Sequence, residues 1–592
     1  MSNYQSVWPL NELGEIVIGQ GLGTTNIVGF LNQDQIPVDA GGKVKFTGMQ
    51  VTSIGSITDY GVVSSTTLDQ TTAIQTAFTN ALADGKTALR IPAGTYIYSN
   101  LLTCGLSLIG AGWSDTLFKC NSADGNNSRI HFGNVSNIEV SGIHFYSPNT
   151  TIQGTETAAI LRFDTASYVQ IKENFFEKAK GACVLFRSVT QGSICNNIAK
   201  NTYKDTFHCT KACDGIIIKG NVVKDGGDDM IAVVGYVSDG ITPKNITISG
   251  NTLDGSKTAR GIAIVGADNV VIKNNVISNP YYSGIYIGVE QPGGNFNTMD
   301  VNNVVIEGNT LDKCGYSGQY AALQISSGAT SYVFNNIHIK NNIIKNSAYR
   351  AISVGSSSLW GWNIQICGNT VSDTTDSSGK SITAGTGTAE GMYVAHCKHV
   401  IINDNHVEKT GGYGIFVNNN TTGLLKIRGN LLTQINKNGI SSVDVINIAS
   451  GSSADRIVVH ENYYNHINGY STNGVERFIE NANPTVTHYN WNRSDASIVQ
   501  LSPTTVYSDA SVTPSASPWT YTNQNIYPER LYVTGGTVSQ VDWVSNNQSP
   551  GTYNLNQTSG LMPLLLPGEK IKFTYSVAPT VTSIPTLLAT SL

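Results

Sequence analysis

Charge is what this sequence has least of. Only 13% of the 592 residues are Asp, Glu, Lys or Arg, about half the roughly 25% of an ordinary globular chain. The formal net charge is −5, so no basic field is present to hold nucleic acid or an anionic membrane. Long apolar runs are missing too, and without one of about 18 residues no membrane-spanning helix is expected. The start, Met1-Ser2-Asn3-Tyr4, has no basic stretch followed by an apolar one, so no secretory leader is expected. Cysteine is scarce and odd in number, nine in all. Cys209 and Cys213 are the closest pair, with no second pair placed to complete a zinc site. Buried, reduced thiols made in a cytosol are expected.

What remains is enough to fold. Apolar residues make up 40%, with 27 Tyr, 16 Phe and 7 Trp, which excludes a disordered chain. Glycine, at 60 residues, is enriched but lacks the every-third period of collagen. The surface is therefore wetted by Asn, Ser, Thr and Gly. That composition suits long stacks of strands and turns, and a surface that meets sugars.

An internal repeat decides the architecture. Short alternating strings that end in Asn and an apolar residue recur: VQIKENFF (169–176), IIIKGNVV (216–223), ITISGNTL (246–253), VVIKNNVI (270–277), and so on to IVVHENYY (457–464). The Asn positions are 174, 197, 221, 251, 275, 309, 342, 369, 405, 430 and 462. The mean interval is 28.8 residues and the range is 23 to 36, so loops of variable length separate fixed strands. Period-two alternation in strings too short for helices marks strands. Second strings such as GIAIVG and GIYIGV follow each Asn. Two or three strands per period with no helix between them describe one coil of a parallel β-helix. The Asn is expected at the turn, where it tolerates left-handed backbone and bonds to its stacked copies. Leucine-rich repeats, the rival solenoid, need a Leu spacing that is absent.

The flanks differ from the array. Residues Thr71 to Ala83 have helical periodicity through Ile74, Phe78, Ala81 and Leu82, with Asp69 placed to cap them. Such an amphipathic helix suits the covering unit that a solenoid end requires. DYG, a Thr-rich turn, this helix and IPAGTY together resemble the N-terminal cap of the pectate-lyase-like superfamily found in bacteriophage tailspikes and depolymerases. YPERLYVTGGTVSQVDWV (527–544) and MPLLLPGEKIKFTYSVAPTVTSIP (562–585) resemble the β-sandwich that closes many phage depolymerase trimers. The resemblance implies an all-β chain: a right-handed parallel β-helix with an N-terminal cap helix and a C-terminal β-sandwich. The expected divisions are 1–56, a neck or attachment segment; 57–100, the cap; 101–490, the glycan-binding β-helix; and 491–592, the sandwich, for trimerisation or carbohydrate binding. The apolar LMPLLLP (561–567) is expected to need a partner subunit.

One polar cluster stands out against the outward face of the array. In YKDTFHCTKACDGIIIKGNVVKDGGDDMIAVVG (203–235), Asp205 lies one local coil, 23 residues, before Asp228. Adjacent coils are about 4.8 Å apart, so Asp205 is expected beside Asp228 and Asp229. Three crowded carboxylates cannot all ionise, and one pKa must rise, as a general acid needs. Paired carboxylates in turn suit glycosidic bond cleavage. The opposing reading makes Asp225, Asp228 and Asp229 turn formers in a Gly-Gly loop. The set also resembles the Asp…Gly-Asp-Asp of polygalacturonases. That likeness implies an inverting hydrolysis in which Asp205 and Asp228 activate water and Asp229 is the acid. Thr206 stands where the family has Gly, and Ala259-Arg260-Gly261 stands where its Gly-His-Gly would fall, so pectin is not the expected substrate.

Candidate substrate-binding residues are His208, Arg260, Tyr282, Tyr286 and Glu290, with Tyr281 beside them. Glu390 with Tyr393, His396 and His399 forms a second polar cluster, read as solvated surface or a rival site. Trp360 and Trp362 are candidate carbohydrate or subunit contacts. No metal spacing emerges, and acid/base hydrolysis calls for no cofactor. The expectation is a homotrimeric phage tailspike, made in the host cytoplasm and carried on the virion. It would join the tail or baseplate through its N-terminal side and cleave a bacterial capsular or O-antigen polysaccharide. The alternatives are a lyase acting on a uronate-containing glycan, with Arg260 and His208 in its site, and a spike that binds glycan without cleaving it.

Overall fold

The computed structural model describes residues 53–585, apart from 122–128, 148–157, 291–296, 316–319, 328–332, 356–360, 375–388, 419–420, 437–442, 450–452, 466–478, 482–486, 491–492, 495–500, 503–509, 524–528, 545–551, 564 and 566–568. The 1–56 segment lies almost wholly outside the described residues, and so does Trp360. The repeat read from the sequence is the coil of a parallel β-helix, with three strands to a turn. One coil holds Phe207–Thr210, Asp214–Lys219 and Val222–Gly226. The next holds Ile231–Val234, Lys244–Ser249 and Thr252–Ser256. Phe207 faces Ile231, Ile216 faces Ile246 and Val223 faces Leu253, all in parallel register. The first two strands of each coil build a 29-stranded sheet and the third a 15-stranded one.

Alternation sends every second side chain inward. Ile216, Ile246, Val270, Val304, Ile337 and Ile364 form one column up the interior, all buried. Each such side chain contributes about 1.5–3 kcal/mol by leaving water. Near the N-terminal end Phe rings take over, Phe132 stacking on Phe163 with centroids 4.4 Å apart.

All eleven Asn residues named above are buried in a continuous ladder. Asn197 Oδ1 accepts from the backbone N–H of Asn174 at 3.0 Å and from its Nδ2 at 3.1 Å. The pattern runs on to Asn462, which accepts from Asn430. The expected backbone conformation is displaced by one position. The left-handed residue is the one before each ladder Asn: Glu173, Asn196, Gly220, Gly250 and their equivalents, with φ between 55° and 66°. That residue turns the corner, which leaves the Asn free to point its amide inward.

The helix α1 spans Thr71–Ala83 and buries Ile74, Ala77, Phe78 and Ala81. The N-cap is Gln70 rather than Asp69, and it makes no side-chain cap bond; Asp69, one residue earlier, accepts from the Thr71 N–H through Oδ1 at 2.9 Å. Leu82, counted with the apolar face, is instead exposed, because it falls past the end of that stripe. All nine cysteines are free, and Cys195 and Cys367 are partly exposed while the other seven are buried.

The coil stack outruns the sequence-based boundary at 490. Strands Arg493–Ser494 and Leu501–Ser502 still belong to its sheets, and the chain divides after Leu501. Polar residues in the last coils erase the alternation that marks the others. The second unit, from Ser502, packs two four-stranded antiparallel sheets, the expected β-sandwich. Met562 and Leu565 of the apolar segment lie in this unit's own core with Leu531, Ile571 and Phe573. Those two side chains need no partner subunit to cover them.

Candidate active site

Three successive coils bring the aspartates together. Phe207, Ile231 and Ile262 are in register, and two residues before each stand Asp205, Asp229 and Arg260. Thr206 N–H bonds to Asp229 O at 3.0 Å and Met230 N–H to Arg260 O at 3.1 Å, which holds the three backbones level. Asp229, rather than Asp228, is therefore the residue stacked on Asp205, and Asp228 stands beside it. Carboxylate oxygens of Asp205, Asp228 and Asp229 lie within 4.8 Å of one another.

Bonds to neighbouring groups hold these carboxylates in place. Asp205 Oδ1 accepts from the Asp229 N–H at 3.1 Å, and Asp205 Oδ2 meets His208 Nδ1 at 2.7 Å. Asp229 Oδ1 accepts from the Arg260 N–H and Oδ2 from Arg260 Nη1, both at 3.1 Å. Arg260 Nη2 reaches Glu290 Oε1 at 3.0 Å, and its Cζ lies 4.3 Å from the centre of the Tyr286 ring. Asp205, His208 and Asp229 are buried, with Asp228 more open.

Burial is the largest influence on Asp229 and raises its pKa. Arg260 opposes the rise, whereas the Asp205 and Asp228 carboxylates reinforce it, and the group is pushed up to about 8. Burial and two like charges outweigh one guanidinium because Arg260 is shared with Glu290. Burial and the neighbouring carboxylates thus favour the protonated form of Asp229, the form a general acid requires. Burial also pushes the Tyr286 phenol up, so it stays neutral. By residue type the three aspartates could hold a divalent cation. Their bonds to the Asp229 amide, His208 and Arg260 already occupy most of the oxygens that would ligate one.

The tyrosines form a separate cluster. Tyr282 N–H bonds to Ala259 O at 2.8 Å, which seats Tyr282 one coil beyond the Asp228 coil's neighbour. Its ring lies 5.0 Å from Tyr281 and 4.2 Å from Tyr320. Sequence reasoning missed Tyr320, because a long loop interval hides its register. It also missed Lys257, whose Nζ donates to Thr202 O at 3.2 Å and lies over the Tyr203 ring.

Of the turn-former candidates, only Asp225 has left-handed backbone, with φ 55°. In the second polar cluster Glu390 is not solvated, whereas His399 is exposed. Glu390 is buried and pairs with Arg350, with Nε to Oε2 at 2.7 Å, and Arg350 stacks on Tyr393 at 3.6 Å. His396 and His399 sit apart at left-handed turns. Trp362 is part-exposed beneath Lys398.

Residues 231–386 match the family model described as the right handed beta helix region, in keeping with the hand expected of these coils. No curated protein matches the chain in sequence. Among solved structures it is similar to the catalytic unit of the thermostable GH87 α-1,3-glucanase from Streptomyces thermodiastaticus strain HF3-3, at 16% identity and TM-score 0.46, covering 77% of this chain and 72% of that one. It is similar to the Agl-KA catalytic domain at 17% identity and TM-score 0.43, covering 76% and 69%. It is also similar to the Dettilon tailspike protein at 14% identity and TM-score 0.41, covering 90% and 94%.

Proposed function

We propose that this chain is a tailspike-type depolymerase that hydrolyses glycosidic bonds in a bacterial capsular or O-antigen polysaccharide. The observation that carries the reading is the convergence of Asp205, Asp228 and Asp229, whose carboxylate oxygens lie within 4.8 Å of one another, with burial raising the Asp229 pKa. In the proposed reaction Asp229 protonates the leaving glycosidic oxygen. Asp205 and Asp228 remove a proton from the attacking water, and His208 orients Asp205. Arg260 is a positioning residue: it holds Asp229 and Glu290 and is itself held by Tyr286. Tyr282 offers ring surface to sugar, whereas Arg260 already covers a face of Tyr286. Inverting glycosidases generally space their carboxyls by about 6.5–9.5 Å and retaining ones by about 5–5.5 Å. The present cluster is tighter than both, so spacing selects neither outcome.

Elimination has less support, because Arg260 is engaged by two carboxylates of its own chain. The binding-only spike is favoured by one observation: Asp205 and Asp229 accept backbone N–H groups, as structural side chains do. Incubation with a panel of capsular and O-antigen polysaccharides separates the readings. Hydrolysis shortens the chains and adds reducing ends without near-ultraviolet absorbance. A rise in that absorbance indicates a lyase, and unchanged chain length leaves only binding.

The proposed assembly is a homotrimer on the virion, attached to the tail or baseplate through the N-terminal side, with no nucleic acid or membrane as partner. Support comes from the outer face of the 15-stranded sheet. There Val222, Val276, Ile343 and Tyr463, interleaved with Thr252, Thr310, Thr370, His406 and Leu431 in one column, are 44%, 47%, 48% and 37% exposed. A second copy of such a flat face would cover this stripe. Sedimentation should give three times the 63.2 kDa chain mass; a monomer or dimer at micromolar concentration would rule the assembly out.

A further inference from the structure

A cationic cluster lies two coils before the candidate active site on the same outward column. Arg162, Leu185 and His208 are in register in successive coils, which puts Arg162 about 10 Å along the axis from His208 at the usual strand spacing. Around Asp164 converge Arg162 Nε at 2.6 Å, His131 Nε2 at 2.9 Å and Arg187 Nη1 at 3.0 Å. Arg129 stands close enough for its charge to act on Arg162 and Asp164. Among the described residues the guanidinium groups of Arg162 and Arg187 thus share one carboxylate, with Arg129 close by, in a chain with few charges of any kind.

Two further observations point to a ligand. Arg162, Arg187 and Asp164 keep 16%, 23% and 25% of their side chains exposed, so the group opens to solvent. A guanidinium has five N–H donors. Among the described residues, Arg162 and Arg187 each meet only Asp164. Their remaining donors form the planar fork that recognises carboxylate and phosphate oxygens.

We propose that Arg162 and Arg187, with Arg129 and His131, bind the carboxylate of an acidic sugar, so that the polysaccharide acted on is anionic. The inference rests on the depolymerase reading for its purpose, though not for its measurement. Arg260, the arginine nearest the aspartates, is committed to Asp229 and Glu290 and leaves this task to the cluster.

The test is equilibrium binding by calorimetry, with oligosaccharides rich in glucuronate, the same oligosaccharides after carboxyl reduction, and inorganic phosphate. The expected result is tenfold or greater preference for the carboxylated form, diminishing with salt. Arg162→Gln with Arg187→Gln should abolish the preference while the circular dichroism melt is kept, and Arg162→Lys should retain part of it. Equal binding of both forms, or an unchanged preference in the folded double variant, overturns the proposal. Phosphate binding tighter than any glucuronate oligosaccharide overturns it in favour of a phosphorylated glycan. Because binding is read without turnover, it is separable from cleavage. Equal binding of both forms by the native chain with cleavage intact defeats only this inference, whereas preference without cleavage defeats only the depolymerase reading.

Discussion

Two corners of the same solenoid use one device to different ends. At the first, eleven Asn residues pass hydrogen bonds from coil to coil, each Oδ1 accepting from the preceding Asn. At the second, Asp205 accepts from the Asp229 amide and Asp229 from the Arg260 amide, now from the following coil. The geometry of stacking is shared, and the difference is ionisation. A neutral amide between coils satisfies buried polar groups and does nothing more. A carboxyl in the same setting meets burial and like charge, and its proton affinity climbs.

Removing the ionisable group should have the largest effect. Single Asp→Asn changes at 205, 228 and 229 are expected to cut turnover by on the order of 10²–10⁴. Asn still accepts the amide bonds, so each variant should remain folded. Full activity of the Asp228→Asn, Asp229→Asn double variant on its polysaccharide would return this corner to the structural class of the other.

Arg260→Gln should cost on the order of 10- to 100-fold by loosening Asp229. It also sharpens the electrostatics. Arg260 draws the Asp229 pKa down, so its loss should move the alkaline limit of activity to higher pH. A limit that stays put, or falls, contradicts the pairing.

The pH profile of the native chain follows from the same group. Asp229 must carry its proton to act, so activity should decline as pH rises through about 8. Stability moves the same way. The folded chain keeps a proton that the unfolded chain releases near the ordinary value of 3.8, so the native state is favoured at low pH and loses that advantage as pH climbs to about 8. Asp229→Asn should flatten this part of a denaturant-midpoint series measured against pH.

The smallest effect on activity is expected at the neutral corner. Asn342→Ala strips the acceptor from the Asn309 N–H and Nδ2 and the donor from Ile306 O. Each orphaned group costs about 1–3 kcal/mol. Unfolding should quicken while turnover at temperatures well below the transition is unchanged. A loss of turnover there would show that the two corners are coupled.

The coil, the ladder and the cap helix were readable because each is local or strictly repeated. All eleven ladder positions and both ends of α1 are as the spacing predicts. The convergence of Asp205 with Asp228 and Asp229 was readable for a similar reason: the interval between them is a short coil without inserted loop. Arg350 with Glu390 lies 40 residues apart across a long insertion, and Tyr282 with Tyr320 is hidden in the same manner. The cluster around Asp164 draws on residues 131, 162 and 187 in three coils, none of them part of a motif.

The sequence by itself determined the solenoid, since alternation and a recurring Asn specify which face is buried and where each coil turns. It also determined that one stretch is rich in closely spaced aspartates. The polygalacturonase resemblance implied Asp229 as the acid, but only tertiary structure supplies the physical cause that raises its pKa. Register puts Asp229 over Asp205, burial and two neighbouring carboxylates raise it, and Arg260 opposes them from the next coil. Those influences depend on distance and solvent exclusion between residues whose separation along the chain varies with loop length, and only the folded stack sets both.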